Sequence, residues 1–135
     1  MGLIILKIDR RDIMKINFNI DIPIYIQIME YFKREISVGY LKPGDRIPSV
    51  RKIADELQVN SNTIQHAFKE LEIEGIVITN KGRGRYVTND NIKIMKLRKD
   101  MKKELVCSFI NGMKNLEFTE EEIIFITLSF LKNKN

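Results

Sequence analysis

Three amphipathic segments followed by two short β-branched runs constrain the fold more tightly than any other feature of this sequence. Apolar residues recur at helical spacing within residues 23–38, 49–57 and 61–74. Residues 76–79 and 85–88 are rich in β-branched and aromatic side chains, and the turn KGRG lies between them. This pattern predicts three helices followed by a β-hairpin with a basic tip.

The predicted helices carry residues that favour helix starts and ends. Pro23 suits the first turn of the first helix, Ser49 is a candidate N-cap of the second, and either Asn60 or Ser61 caps the third. Glycines follow the first and third helices and are expected to end them. The side of the first helix opposite its apolar stripe is expected to be polar, with Gln27, Glu30, Lys33 and Arg34.

The remaining chain predicts two further helices, over residues 92–113 and 120–131. Thr119 and Glu122 form a capping box at the start of the last helix, which is apolar nearly all round. Such a helix must be buried, and one short partner helix cannot cover it, so a second subunit is expected to do so. The alternative is burial against the chain's own N-terminal domain. The predicted dimerisation residues are Leu97, Met101, Leu105, Phe109, Ile123, Ile124, Ile126, Leu128, Phe130 and Leu131.

Composition excludes several classes of protein. The 135 residues suffice for one domain or for a small domain with an appendage, and a formal charge of +5 permits nucleic-acid binding without demonstrating it. A single cysteine and a single histidine argue against a disulfide or a zinc site, and no cofactor is expected. Cys107 lies in an apolar stretch and is expected to be a small core residue. Without a membrane-spanning run or a signal peptide, a cytoplasmic location follows.

The order of helix, helix, short turn, helix and basic hairpin is that of a winged helix-turn-helix. A helix that reads the major groove needs short polar side chains near its N-terminus, and glycines in a hairpin tip let the backbone approach the duplex. Cations nearby would contact phosphates or a narrow minor groove. The predicted DNA-binding residues are Arg51, Lys52, Asn60, Ser61, Asn62, Thr63, Gln65, His66, Lys69, Lys81, Gly82, Arg83 and Gly84.

The run KPGDRIPSVRKIADEL at residues 42–57 resembles the opening signature of the GntR family of bacterial regulators. The resemblance continues through VNSNTI, FKELE and EGIV and closes with KGRGRYV, so it extends over residues 22–88. It implies a winged helix-turn-helix that binds palindromic operator DNA as a homodimer. It also implies a phosphate or base contact for Arg51 and a minor-groove contact for Gly82.

Two departures refine the resemblance. Many family members have arginine where this chain has Ser61 and Gln65, so the chain is expected to read an A·T-rich operator through amides. Only about 45 residues follow the hairpin, too few for a large effector domain, and this short helical tail resembles the YtrA-like subfamily. That subfamily's tail serves dimerisation, and its members often control transporter operons. Because a regulator bound at a promoter blocks polymerase, a repressor of such an operon is the expected function.

The predicted fold class is therefore α+β and mainly helical. An N-terminal extension over residues 1–13, either disordered or a small added strand, precedes a winged helix-turn-helix over residues 14–90 and a two-helix dimerisation region over residues 91–135. Two other functions are compatible with this fold. One is a protein-interaction module that does not bind DNA, and the other is a regulator with an effector site at the tail or dimer interface. An enzyme is not expected, because consecutive glutamates at a helix start are explained by capping.

Overall fold

A computed structural model describes residues 16–133, which form five helices and a two-stranded antiparallel sheet. The elements are α1 Ile24–Ser37, α2 Val50–Leu57, α3 Ser61–Ile73, β1 Val77–Asn80, β2 Gly84–Val87, α4 Asn91–Asn115 and α5 Glu120–Asn133. The predicted fold class, a mainly helical α+β chain with an N-terminal winged helix-turn-helix, is confirmed. Residues 1–13 lie outside the described residues. The chain divides into two compact units, with the boundary between Leu97 and Arg98.

The core of the first unit forms where α1 packs across α3. Phe32 and Phe68 are fully buried, and their ring centroids lie 5.1 Å apart. Burial of each such side chain contributes about 1.5–3 kcal/mol, so this contact is a major source of stability for helices too short to persist alone. The other fully buried apolar side chains of α1, α2 and α3 are Ile28, Tyr31, Ile53, Ile64, Ala67 and Leu71.

Side-chain caps define the turn between α2 and α3. The Ser49 hydroxyl accepts a hydrogen bond from the Lys52 backbone N–H at 3.2 Å, as its sequence position predicts. Of the two predicted caps for α3, Asn60 is the one observed, because its side-chain oxygen accepts from the Asn62 N–H at 2.8 Å. Gln58 ends α2 with φ of 55°, a left-handed conformation that turns the chain without a glycine.

A third extended segment holds the hairpin to the rest of the first unit. β1 and β2 pair from Val77 opposite Val87 to Asn80 opposite Gly84. Residues 44–47 run along the other edge of β2, where the Ile47 N–H donates to the Arg85 carbonyl at 2.9 Å. This pairing places residue 46 beside the hairpin, a position that the sequence pattern did not indicate.

Gln27 corrects the predicted polar side of α1. Its side chain is 1% exposed rather than facing solvent. Its Nε2 donates to the backbone oxygens of Asn19 at 2.7 Å and Ile22 at 2.8 Å, and its Oε1 accepts from the Asn19 N–H at 2.7 Å. The side chain thus fastens the extended segment that precedes the helix, which otherwise has few backbone partners of its own.

The second unit contains most of α4 and all of α5. Leu116, Glu117 and Phe118 form the turn between them, and Thr119 and Glu122 exchange the two hydrogen bonds of the predicted capping box. Hydrogen bonds from the Thr119 backbone and hydroxyl hold the pKa of Glu122 below its ordinary value. No helix within residues 16–133 is both long and apolar enough to cross a membrane.

The apolar side chains of the tail are largely uncovered in the single chain. Leu97 and Ile123 are buried, and Met101 and Ile126 are partly buried. Cys107, predicted to be a core residue, is instead exposed, because the apolar stretch around it lies on an uncovered part of α4. The exposed apolar residues of the second unit are Leu105, Val106, Phe109, Leu116, Ile124, Phe125, Leu128, Phe130 and Leu131.

Replacing Gln27 with alanine is expected to destabilise the chain by about 1–3 kcal/mol, because it removes three hydrogen bonds around a buried group. Urea denaturation followed by circular dichroism measures this change in the free energy of unfolding. Gln58→Ala is a matched control, since the exposed Gln58 side chain makes one hydrogen bond, to the Asp55 carbonyl at 2.7 Å. Equal losses in the two variants would contradict the role assigned to Gln27.

Candidate nucleic-acid interface

Helix α3 has one buried side and one polar side. Ile64, Ala67, Phe68 and Leu71 are buried, and the opposite side is exposed to solvent from the first turn onward. The exposed residues on that side are Ser61, Asn62, Gln65, His66 and Lys69. Packing against α1 therefore turns toward solvent the same residues that the sequence predicts to contact DNA.

Two of the predicted residues at the start of α3 have structural surroundings that limit their part in binding. The Asn60 side-chain oxygen is occupied by the helix cap, which leaves its amide N–H groups available. Thr63 is partly buried. Ser61 and Asn62 are exposed and lie in the first turn, where the helix dipole favours an anion such as a phosphate.

His66 is held within the first unit rather than projecting freely. Its ring stacks on that of Tyr25, with centroids 3.8 Å apart and an angle of 17° between the ring planes. Its Nε2 lies 3.7 Å from a carboxylate oxygen of Glu70 on the next turn. The sequence assigned His66 to DNA binding, and these contacts show that the ring also links α1 to α3.

Arg85 of β2 joins the hairpin to α3. Its Nε donates to the Glu72 carboxylate at 2.8 Å, and its Nη2 donates to the Gln65 Oε1 at 2.9 Å. Its guanidinium carbon also lies 5.3 Å from the centroid of the Phe68 ring, within the range of a cation–π contact. Partial burial raises the pKa of Glu72, but hydrogen bonds from Thr79 and Arg85 outweigh it and hold that pKa below its ordinary value.

The hairpin tip presents two cations around a glycine. Lys81 and Arg83 are exposed, and Gly82 adopts φ of 80°, a conformation that suits glycine, with open space where a Cβ would lie. The space beside Gly84 is instead occupied, since the Arg46 guanidinium would lie 3.3 Å from a Cβ at that position. The tip thus offers an approachable backbone at Gly82, and Gly84 makes room for an additional arginine.

Arg51 and Lys52 lie in the first turn of α2, and both are exposed. The structure thus leaves exposed cations in three parts of the first unit: the start of α2, the exposed side of α3 and the hairpin tip. Exposed cations of this kind can contact phosphates, whereas amide and hydroxyl groups on α3 can contact base edges.

The sequence pattern missed Arg46 and Arg85. The alternation of a strand could have indicated Arg85, because it lies two residues before the buried Val87 and therefore on the same side of β2. Arg46 could not be found in this way, since its position depends on the pairing of residues 44–47 with β2.

Comparison with known proteins agrees with this geometry. Residues 24–87 match the profile of the gntR family of bacterial regulatory proteins. The chain is 36% identical over 102 residues to the HTH-type transcriptional regulator YhcF of Bacillus subtilis, a match that covers 76% of this chain and 84% of YhcF. It is 47% identical over 68 residues to the HTH-type transcriptional repressor YtrA of Bacillus subtilis, and that match covers 50% of this chain and 52% of YtrA.

A solved structure extends the likeness beyond the DNA-binding region. A GntR family transcriptional regulator from Listeria monocytogenes superposes with a TM-score of 0.79 at 40% sequence identity. The superposition covers 83% of this chain and 98% of that one. The likeness therefore includes helices that follow the hairpin, and not the family motif alone.

The fold and the exposed polar side of α3 define a DNA-binding transcriptional regulator with a winged helix-turn-helix. The chain belongs to the GntR family of bacterial regulators. The family resemblance predicted from the sequence is confirmed. Because this family is a class of transcriptional regulators, the expectation that the chain is not an enzyme is confirmed on that ground.

The lowered pKa of Glu72 predicts that acid weakens the attachment of the hairpin to α3. A carboxylate with a depressed folded pKa adds stability above its unfolded pKa, and this stability is lost as the pH falls through the folded value. Hydrogen exchange of the β2 amides should therefore accelerate, relative to its intrinsic rate, as the pH falls below about 4.5, the ordinary pKa of a glutamate.

Glu72→Gln should remove most of this pH dependence. Glu122→Gln is the control, because the pKa of Glu122 is also lowered but its hydrogen bonds lie at the start of α5. A Glu122→Gln variant whose β2 amides lost their acid response would contradict the assignment to Glu72.

Proposed function

We propose that the chain is a homodimeric repressor that acts in the cytoplasm on a transporter-type operon. Two α3 helices would enter successive major grooves of a palindromic operator, about 34 Å apart. Bound at a promoter, the dimer would block polymerase. The observation that carries this proposal is the exposed polar side of α3, together with the exposed cations of α2 and of the hairpin tip.

Each group of exposed side chains has a separate part in the proposed complex. Ser61, Asn62 and Gln65 would meet base edges, because their short polar side chains lie on the first two turns of α3. Arg51, Lys52 and Lys69 would contact phosphates. The tip around Gly82 would enter the adjacent minor groove, where the open space at its α-carbon permits close approach.

The exposed tail supports the proposed homodimer. Phe125 is 72% exposed and Leu128 is 50% exposed in the single chain. Exposed apolar side chains in this number are typical of an interface. A second copy of α4 and α5 offers the same apolar side chains, and a two-fold symmetric contact can bury the apolar side chains of both copies.

The repressor role rests on a relative, and the type of operon rests on the resemblance of the helical tail to the YtrA-like subfamily. YtrA of Bacillus subtilis is described as a repressor, and its similarity to this chain covers half of each protein. Expression of a reporter gene placed behind the promoter of the chain's own operon should rise in a strain from which the gene for this chain has been deleted. A fall in expression would identify an activator instead.

Arg51→Ala is expected to weaken operator binding about tenfold and to reduce the slope of log affinity against log salt by about one, because one phosphate contact is lost. Mobility-shift titrations over a range of salt concentrations, with DNA upstream of the chain's own gene, measure both quantities. Lys114→Ala is the control, since Lys114 lies 3.5 Å from Glu120 in the second unit. Wild-type protein that fails to retard this DNA at low salt would favour the interaction module without DNA binding.

Phe125→Glu combined with Leu128→Glu is expected to convert the dimer to monomers, because two charges would be buried without partners. Sedimentation equilibrium at micromolar concentration measures this change in mass. Lys132→Glu changes an exposed polar residue on the same helix and should leave the dimer intact. Wild-type protein that sediments as a stable monomer would contradict the homodimer.

A further inference from the structure

We propose that Arg85 is a positioning residue that sets which base edge Gln65 reads. By holding the Gln65 amide oxygen, Arg85 leaves the N–H groups of the Gln65 amide to face the DNA, which favours guanine over adenine at one base pair. This inference rests on the proposed reading of DNA by α3 and deepens it.

Three contacts fix the Arg85 side chain. Glu72 accepts from its Nε at 2.8 Å, the Phe68 ring lies beneath its guanidinium carbon at 5.3 Å, and Gln65 accepts from its Nη2 at 2.9 Å. The side chain is 25% exposed, so it is partly enclosed and yet reaches the surface. A planar guanidinium held at two edges and one face has little freedom to release Gln65 by rotation.

The chemistry of arginine determines the orientation of the amide. A guanidinium has N–H donors and no acceptor, so the atom of Gln65 that faces it is the carbonyl oxygen. The amide nitrogen, with its two N–H groups, is then left for a ligand. Arg85 thereby converts a side chain that can donate and accept into one that chiefly donates.

Guanine and adenine differ in what they offer to such a donor. Guanine has two major-groove acceptors, N7 and O6, whereas adenine forms a bidentate pair with a glutamine only if the amide oxygen accepts from its N6 amino group. An amide oxygen already engaged by Arg85 is poorly placed for that second bond. At this base pair, the inference replaces the A·T preference expected from the sequence, while Asn62 keeps both amide groups available for adenine.

The network also borders the proposed reading surface directly. One shallow depression on the first unit is lined by side chains of α3 and by Arg85 of β2. Its lining residues are Asn62, Gln65, His66, Lys69, Glu72 and Arg85. A base edge that entered this depression would meet the Gln65 amide with its oxygen already held by Arg85.

Selection of bound duplexes from a randomised pool, followed by sequencing, tests the inference with the full chain. Wild-type protein should favour guanine over adenine by about fivefold or more at one position of each half-site. Gln65→Ala should remove this preference. Arg85→Ala should shift it toward adenine, because the freed amide can then accept as well as donate. The double variant should resemble Gln65→Ala, since Arg85 acts through Gln65.

Two further variants separate base reading from stability and charge. Arg85→Lys keeps a cation for Glu72, but one ammonium group cannot reproduce the two-edged contact, so the guanine preference should fall even if Arg85→Ala unfolds the hairpin. Arg83→Ala removes an exposed cation at the tip and should weaken binding to all sequences alike. A role of Arg85 confined to stability would lower thermal stability and leave the preference at this position unchanged.

The outcomes distinguish the two levels of the proposal. A wild-type selection that enriches no sequence overturns the proposed DNA reading, and the role of Arg85 with it. A wild-type motif that Arg85→Ala and Arg85→Lys leave unchanged at every position overturns the role of Arg85 alone. Loss of guanine preference in both Arg85 variants and in Gln65→Ala, at the same position, supports it.

Discussion

The packing of α1 across α3 is the interaction on which the rest of the first unit depends. Phe32 and Phe68 meet at its centre, and the opposite side of α3 is left in solvent as a geometric consequence. The Phe68 ring also supports the guanidinium of Arg85 from β2. One apolar contact therefore orients the proposed recognition helix and supports the side chain that joins the hairpin to it.

The helices around this contact are short, and local bonds compensate for their low intrinsic stability. α2 has eight residues, fewer than an isolated helix needs to persist in water. Ser49 caps it, and Asn60 caps the following helix, each satisfying an N–H that would otherwise lack a partner. The left-handed Gln58 lies between them and turns the chain, and α3 begins three residues later.

Periodicity and capping predicted the element order, the caps and the exposed side of α3, because those features depend on residues close in sequence. The errors arose where the surroundings of a side chain depend on partners outside its own helix or strand. Gln27 has the polarity of a surface residue, but its three hydrogen bonds go to a segment that precedes α1. Cys107 lies among apolar neighbours and is still exposed, since composition indicates that a surface should be covered without saying by what. Arg85 was missed because its partners lie on a different element.

Exposed apolar side chains and exposed cations behave differently in water, and this difference bears on the order of assembly. Exposed apolar side chains such as Phe125 are unfavourable in water at all times, whereas exposed cations such as Arg51 remain hydrated until phosphates displace the water. In the proposed dimer, the tails therefore associate before DNA is met. Binding of the first half-site then raises the effective concentration of the second α3 at its own half-site. Modest contacts by each small reading surface can in this way give tight binding to a palindrome, and weak binding to a single half-site.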